Sequence, residues 1–339
     1  MRYLVTGHTG FKGAWLSLIL KQAGHEVSGF SLEAEPGSLF KKMEPESVFS
    51  ESIIGDVRSL KDFESALVKS KPDVVIHLAA QSLVRESYRD PVFTYETNVN
   101  GSYNVLKAVS KFQKAPHLLM ITTDKVYVND GRRVGYIESD ELGGKDPYSS
   151  SKAIADLLIQ SWQVSYPNLS LGIARAGNVI GGGDSSKERL LPDLISAMEK
   201  KEELKLRSPG AVRPWQHVLD CLSGYLALVD MMFTTSGPVG AWNFGPDSSQ
   251  VRTVGEVAEK VSEIWGNPLS WSQVSNDGLA EADFLLLDSG KARKNLMWKD
   301  KLDFHQSVEW TINWHLRVRD GLSVRRAMER DVEAFLAIE

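Results

Sequence analysis

Short apolar runs recur through the first half of the chain, at Tyr3–Thr6, Glu26–Phe30, Ser52–Ile54, Asp73–Leu78, His117–Thr122 and Leu169–Arg175. Several are β-branched and bounded by polar residues, the pattern of buried parallel strands. Amphipathic stretches alternate with them and predict helices near Phe11–Ala23, Leu60–Lys69, Pro91–Phe112 and Tyr148–Ser165. Repeated βα units of this kind predict a doubly wound parallel sheet of the α/β class. Ligands of such sheets sit beyond the carboxyl ends of the strands. Four polar or glycine-rich segments fall there: Gly7–Gly13, Leu78–Gln81, Thr122–Lys125 and Arg175–Asn178.

The regularity breaks after Arg175. Ala176–Asp184 reads as a turn-rich loop, Ala241–Phe244 as a further strand and Val254–Trp265 as a helix, while the remainder is rich in Trp and Arg. The expected organisation is a Rossmann-like cofactor domain over 1–175, with segments near 213–246 returning to it. A smaller carboxyl-terminal substrate-binding lobe then occupies most of 176–339. The tryptophans of the tail read as core rather than site.

With 42% hydrophobic and 24% charged residues among 339, the chain suits a globular protein with a sizeable core. A net charge of −5 and the lack of any basic block argue against nucleic acid. No apolar run approaches the ~18 residues of a membrane span, and the first strand starts too soon after Met1 to leave room for a signal peptide. The single Cys221 allows no internal disulfide and reads as a buried residue of a helix, which points to the cytoplasm. His217 reads as a positioned structural residue. No His/Asp/Glu group has the spacing of a metal site.

The glycine turn Gly7-His8-Thr9-Gly10-Phe11-Lys12-Gly13 lies between a predicted strand and a predicted helix. In that context Gly7 permits the tight turn, Gly10 lets the backbone approach a pyrophosphate, and Gly13 lets helix and sheet pack closely. His8 and Lys12 are expected to add positive charge. The second strand ends Ser31-Leu32 with no acid before Glu33, so by this rule NAD and NADP both stay open. Asp56 is a candidate for the adenine amino group or, alternatively, a helix cap. Tyr148 and Lys152 share a helical face. A lysine one turn from the phenol is expected to lower its pKa, so that it takes a proton from an alcohol as a nicotinamide takes hydride. The Thr123 hydroxyl can bond a sugar alkoxide. Asp124 and Lys125 add an acid/base pair that simple oxidation does not need and elimination does.

These residues resemble the extended short-chain dehydrogenase/reductases and, within them, the CDP-glucose 4,6-dehydratase branch. The similar stretches are VTGHTGFKGAWLSL, LAAQSLVRESYRDP, TNVNGSYNVL, TTDKVY, DPYSSSKA, RAGNVIGGGD, RPWQHVLDCLSGYL and WNFGP, spanning residues 5–246. The dTDP-glucose branch has Asp-Glu where this chain has Asp124-Lys125. The resemblance implies bound NAD and conversion of a nucleotide sugar to its 4-keto-6-deoxy form, a step of deoxysugar synthesis such as that for lipopolysaccharide O-antigen. Tyr148, Thr123 and Lys152 would serve oxidation at C4, Asp124 would protonate the departing C6 hydroxyl, and Lys125 stands where the related branch has its C5 base. Thr9, Phe11, Ser31, Val57, Leu78, Ala79 and Ala80 would join the glycines, Lys12 and Asp56 around the cofactor. Lys152 would also hold the nicotinamide ribose, and Asn98 would support the active-site helix. Gln81, Arg85, Asn178 and Arg213 would contact the sugar nucleotide. Helices Pro91–Phe112 and Tyr148–Ser165 would pair across a two-fold axis as a homodimer. Two segments depart from the branch. Gly131–Glu138 lacks its tryptophans, and Ala280-Glu281-Ala282 stands for its His-Glu-Ala. The rival within this fold is a nucleotide-sugar epimerase, which needs the Tyr-Lys pair but no elimination acid; a silent NAD-binding regulatory protein would need neither.

Overall fold

The computed structural model describes all residues except 187, 267–269, 275–283 and 339; Ala280-Glu281-Ala282 therefore lies outside the described residues. Seven parallel strands form the central sheet: β1 (Arg2–Thr6), β2 (Glu26–Ser31), β3 (Glu51–Ile54), β4 (Val74–His77), β5 (His117–Ile121), β6 (Leu171–Ala176) and β7 (Gly240–Phe244). Their order is β7-β6-β5-β4-β1-β2-β3. The order reverses between β1 and β4, so the crevice beyond their carboxyl ends is the expected ligand position. β4 and β6 are buried along their whole length, including the polar His77 and Arg175 near their carboxyl ends.

One face of the sheet is covered by α1 (Phe11–Gln22) and, later in the chain, α5 (Val218–Thr234). Buried Trp15, Leu18, Leu222 and Tyr225 pack there with strand residues Val5 and Ile76. Trp298 and Trp314 join the same core, as the reading of the tail expected. The other face carries α2 (Leu60–Ser70), α3 (91–111) and α4 (Pro147–Ser165), around Phe63, Leu106 and Ile159.

Local chemistry sets these boundaries. Ser59 caps α2 by accepting from Asp62 N, and Asp146 caps α4 with Pro147 in the first turn. The predicted single helix Pro91–Phe112 is instead three consecutive segments. Pro91–Tyr95 and Gly101–Lys111 are α-helical, and Glu96–Asn100 between them is a π-turn. That wider turn buries Thr97 and Asn98 beside the crevice, a common use of π-turns at functional sites.

Residues after 176 build a separate apolar cluster from Leu191, Leu194, Trp215, Val257, Phe304 and Ile312. Small strand pairs brace it. Asn178–Ile180 pairs with Trp215–His217, and Val212–Arg213 pairs with Arg252–Thr253. The helix Val254–Trp265 ends as its sequence predicts, with a Thr253/Glu256 capping box at one end and left-handed Gly266 at the other.

Candidate active site

A cleft of about 1360 Å³ runs across the carboxyl ends of β1, β4, β5 and β6. Its floor begins at the glycine turn. Gly7 takes φ +72, and a Cβ on Gly13 would stand 2.2 Å from the Gly7 carbonyl oxygen, so helix and turn approach as only glycine permits. Gly10 begins α1 with no side-chain cap, leaving the helix N-terminus and its amides to an anion. Thr9 and Ser31 bond each other through their hydroxyls at 2.8 Å. Asp56 does not cap α2. It grips the Arg58 backbone amide and guanidinium at 2.9 and 2.6 Å while facing the cleft. The expected cofactor residues Phe11, Lys12, Val57, Leu78, Ala79 and Ala80 line the same cleft.

One charge assignment made from the sequence is corrected here. His8 brings no positive charge. Its ring lies over Gly29, against Phe40 and Phe49, and burial holds its pKa down at about 4. Lys12 is half-buried in the cleft wall and donates to the Tyr225 hydroxyl at 3.3 Å; desolvation lowers its pKa without removing its charge from the site. The Tyr148–Lys152 expectation fails in a similar way. Burial pushes the Tyr148 phenol up to about 12, and the opposing influence comes first from its hydrogen bond to Thr123. The Lys152 ammonium donates to the Ile121 carbonyl at 3.2 Å, and burial brings its pKa down to about 7, with repulsion from Lys12 adding to the fall. Burial is the largest influence on both groups.

Tyr148, Thr123 and Lys125 reach the cleft. Thr123 donates to Asp124 Oδ1 at 2.9 Å, and Lys125 stands 3.6 Å from the same oxygen. Asp124 is 1% exposed, and its Oδ2 is buried with no hydrogen-bond partner among the described residues. Lys125 keeps 28% side-chain exposure and so presents its ammonium to the cleft. Asn98 accepts from Gln81 N, and its amide donates to the Gln81 carbonyl and to Ser151 Oγ on α4. The Gln81 amide is committed to Leu83 and Thr94. Gln81, Arg85, Asn178 and Arg213 line the cleft; Asp124, Lys152 and Asn98 stand behind its surface.

The chain matches the model of the NAD dependent epimerase/dehydratase family over residues 3–244. This chain belongs to that family. It is 37% identical over 346 residues to the CDP-glucose 4,6-dehydratase of Salmonella typhimurium strain LT2, covering 99% of this chain and 96% of the relative. Among solved structures it is similar to a UDP-glucose 4-epimerase of Thermus thermophilus in complex with NAD. That likeness has a TM-score of 0.78 and 25% identity, covering 94% of this chain and 99% of that one. It is also similar in fold to the dTDP-glucose 4,6-dehydratase of Bacillus anthracis, with a TM-score of 0.82 at 24% identity over 94% of this chain and 98% of that one.

Within this family framework, one cleft residue escaped the sequence reading. Arg189 bonds Asp184 and Ser82, each at 3.3 Å, and so spans the cleft between its two walls. Its charge lowers the pKa of Tyr148. A cation directly before the apolar helix Leu190–Lys200, in Glu188-Arg189-Leu190-Leu191-Pro192, was the available signal. Among the described residues no His/Cys/Asp/Glu group could hold a metal, and no helix is long and apolar enough to cross a membrane.

Proposed function

We propose that this chain is an NAD-dependent nucleotide-sugar 4,6-dehydratase that converts CDP-glucose to CDP-4-keto-6-deoxyglucose and water. The single observation that carries the reading is Asp124. A buried carboxylate, one oxygen held by Thr123 and the other without a partner, is an acid prepared for a leaving hydroxyl. An epimerase has no use for it. The 37% identity to a CDP-glucose 4,6-dehydratase over nearly the whole chain supports the same substrate.

The glycine turn fits a dinucleotide pyrophosphate, since a Cβ at Gly7 or Gly13 would collide with backbone that the fold needs. NAD held there by the Gly7, Gly10 and Gly13 backbone would supply reversible hydride transfer. Tyr148, as its phenolate, takes the C4 hydroxyl proton, and the Thr123 hydroxyl bonds the C4 oxygen. Asp124 protonates the C6 hydroxyl as it leaves, and Lys125 takes the proton from C5. Lys152, behind the cleft, holds the nicotinamide ribose, and Arg85, Asn178 and Arg213 bind the sugar diphosphate. An arginine fork matches phosphate oxygens. In this division residues 1–175 serve the cofactor and most of 176–339 the substrate. The product class belongs to deoxysugar synthesis in the cytoplasm, including that of lipopolysaccharide O-antigen. The enzyme acts as a homodimer through α3 and α4.

The test is a panel of CDP-, dTDP-, GDP- and UDP-sugars followed by mass spectrometry. Loss of one water from CDP-glucose is the expected result. Isomerisation without loss of water would return the epimerase reading.

A further inference from the structure

His77 ends β4 in the middle of the sheet, 3% exposed, and both its ring nitrogens are engaged. Nδ1 lies 2.8 Å from Thr6 Oγ1, and Nε2 lies 3.4 Å from Ser102 Oγ. The neighbours decide the direction of these bonds. Ser102 spends its only proton on the Asn98 carbonyl at 2.7 Å, so it must accept from the ring. His77 therefore carries its proton on Nε2, and Nδ1 accepts from the Thr6 hydroxyl. Thr6 in turn accepts from Ala79 N–H at 3.2 Å. Beyond Asn98, its amide donates to Ser151 Oγ at 2.9 Å, and Ser151 donates to the Tyr148 carbonyl at 2.7 Å.

We infer that His77 is a positioning residue, a one-way hydrogen-bond relay joining the glycine turn to the helix that carries Tyr148. One end of the relay is Thr6, directly before Gly7, and Ala79; these hold the two strand ends that flank the dinucleotide cradle. The other end is Asn98, whose place in a π-turn lets its amide reach α4. No other side chain in this run has two nitrogens set to accept on one side and donate on the other. The ring stays neutral, because burial places its pKa at about 3. The role assigned to Tyr148 in the proposed dehydration is presupposed at the helix end only; the cofactor end stands without it.

The two ends can be cut separately. In His77→Asn the amide oxygen keeps the acceptor facing Thr6 and loses the donor to Ser102. In His77→Gln the terminal amide keeps the donor to Ser102 and loses the acceptor for Thr6. Losing one hydrogen bond of this kind amounts to about a five- to tenfold effect. Each purified variant would be measured for NAD affinity by titration calorimetry, for kcat and KM on CDP-glucose at saturating NAD, and for its thermal midpoint. His77→Asn should keep parental NAD affinity and KM while kcat falls about five- to tenfold. His77→Gln should bind NAD about five- to tenfold more weakly with kcat near the parent's. Losses of both properties in both variants, tracking the fall in thermal midpoint, would reduce His77 to a core residue and overturn the relay. Unchanged values in both would overturn it equally. If the parent turns over no sugar nucleotide, the dehydratase reading fails. The relay is then decided by NAD affinity alone: weaker in His77→Gln only supports it, and equal in both variants ends it.

Discussion

At Tyr148 and Lys152 the same physical force acts in opposite directions. Burial makes the charged form of each costly, which raises the phenol and lowers the ammonium. Against it, the hydrogen bond to Thr123 and the charge of Arg189 pull the Tyr148 phenol down, yet it stays at about 12. Lys152 is held at about 7. Tyr148→Phe keeps the ring packing and removes the phenol. Turnover should fall at least ~10²-fold, the usual scale for acid–base catalysis, with NAD affinity unchanged by calorimetry. Asp124→Asn and Lys125→Ala should fail later in the cycle. Both should still reduce bound NAD when CDP-glucose is added, visible as NADH absorbance, and release little 4-keto-6-deoxy product. Exchange of the C5 hydrogen with solvent should drop most in Lys125→Ala. Parental product formation by both would strip this pair of its role.

Among the elements, α4 bears Tyr148 and is fastened to the sheet by a buried ion pair. Asp156, two turns beyond Tyr148, receives Arg175 of β6 at 2.8 and 2.7 Å, and both are fully buried. The same carboxylate accepts from Thr122, the residue before Thr123, at 2.9 Å. Arg175 goes on to the Tyr127 hydroxyl at 2.7 Å, which donates to Asn243 of β7. One pair thus sets α4, the end of β5 and the sheet edge relative to one another. Arg175→Met would leave Asp156 as an uncompensated buried charge. Breaking such a pair costs about 3–5 kcal/mol, so a large drop in the urea midpoint is expected. A shift below ~1 kcal/mol would mean that water replaces the guanidinium.

For the whole molecule, two properties follow from how the elements are assembled. The outer surface of α3 and α4 leaves Val92 and Leu157 exposed at 66% and 52%, while Tyr95 and Leu158 beside them are half-buried. A two-fold partner would cover that surface in a four-helix arrangement. Sedimentation should give a dimer at micromolar concentration, and Leu157→Glu should shift it toward monomer; a monomeric parent protein would contradict the assembly. The second property is sensitivity to acid. His8, His77 and His217 are buried and His315 is half-buried, and desolvation keeps all four neutral, with folded pKa values of about 4, 3, 3 and 4. Unfolded histidine titrates near 6.5, so below that pH the unfolded chain binds protons that the folded one refuses. The stability each contributes is complete above pH 6.5 and lost as pH falls toward the folded value, about 2 kcal/mol each at pH 5. Asp220, raised by burial to about 7, has the opposite sign and gains stability as pH falls below 7, offsetting one or two histidines. The urea midpoint should therefore drop between pH 7.5 and pH 5. A flat profile would show that the histidines are not kept neutral by the fold.

The alternation of apolar runs and amphipathic stretches, together with the glycine turn and the Tyr148/Lys152 spacing, determined the parallel α/β sheet and the side of it that binds ligand. These are local properties: burial shows as periodicity, and a tight turn shows as glycine. The helix Val254–Trp265 was legible to the residue because its caps are written beside it. Only the tertiary structure decided which charges survive. His8 looked cationic until Gly29, from a different strand, was seen to admit its ring and keep it dry. Lys152 looked bound to the phenol until its ammonium was seen to choose the Ile121 carbonyl. Arg189 and Ser82, 107 positions apart, meet across the cleft for a reason that no periodicity carries. The energy of a charge depends on all that surrounds it, and most of those neighbours come from distant parts of the chain.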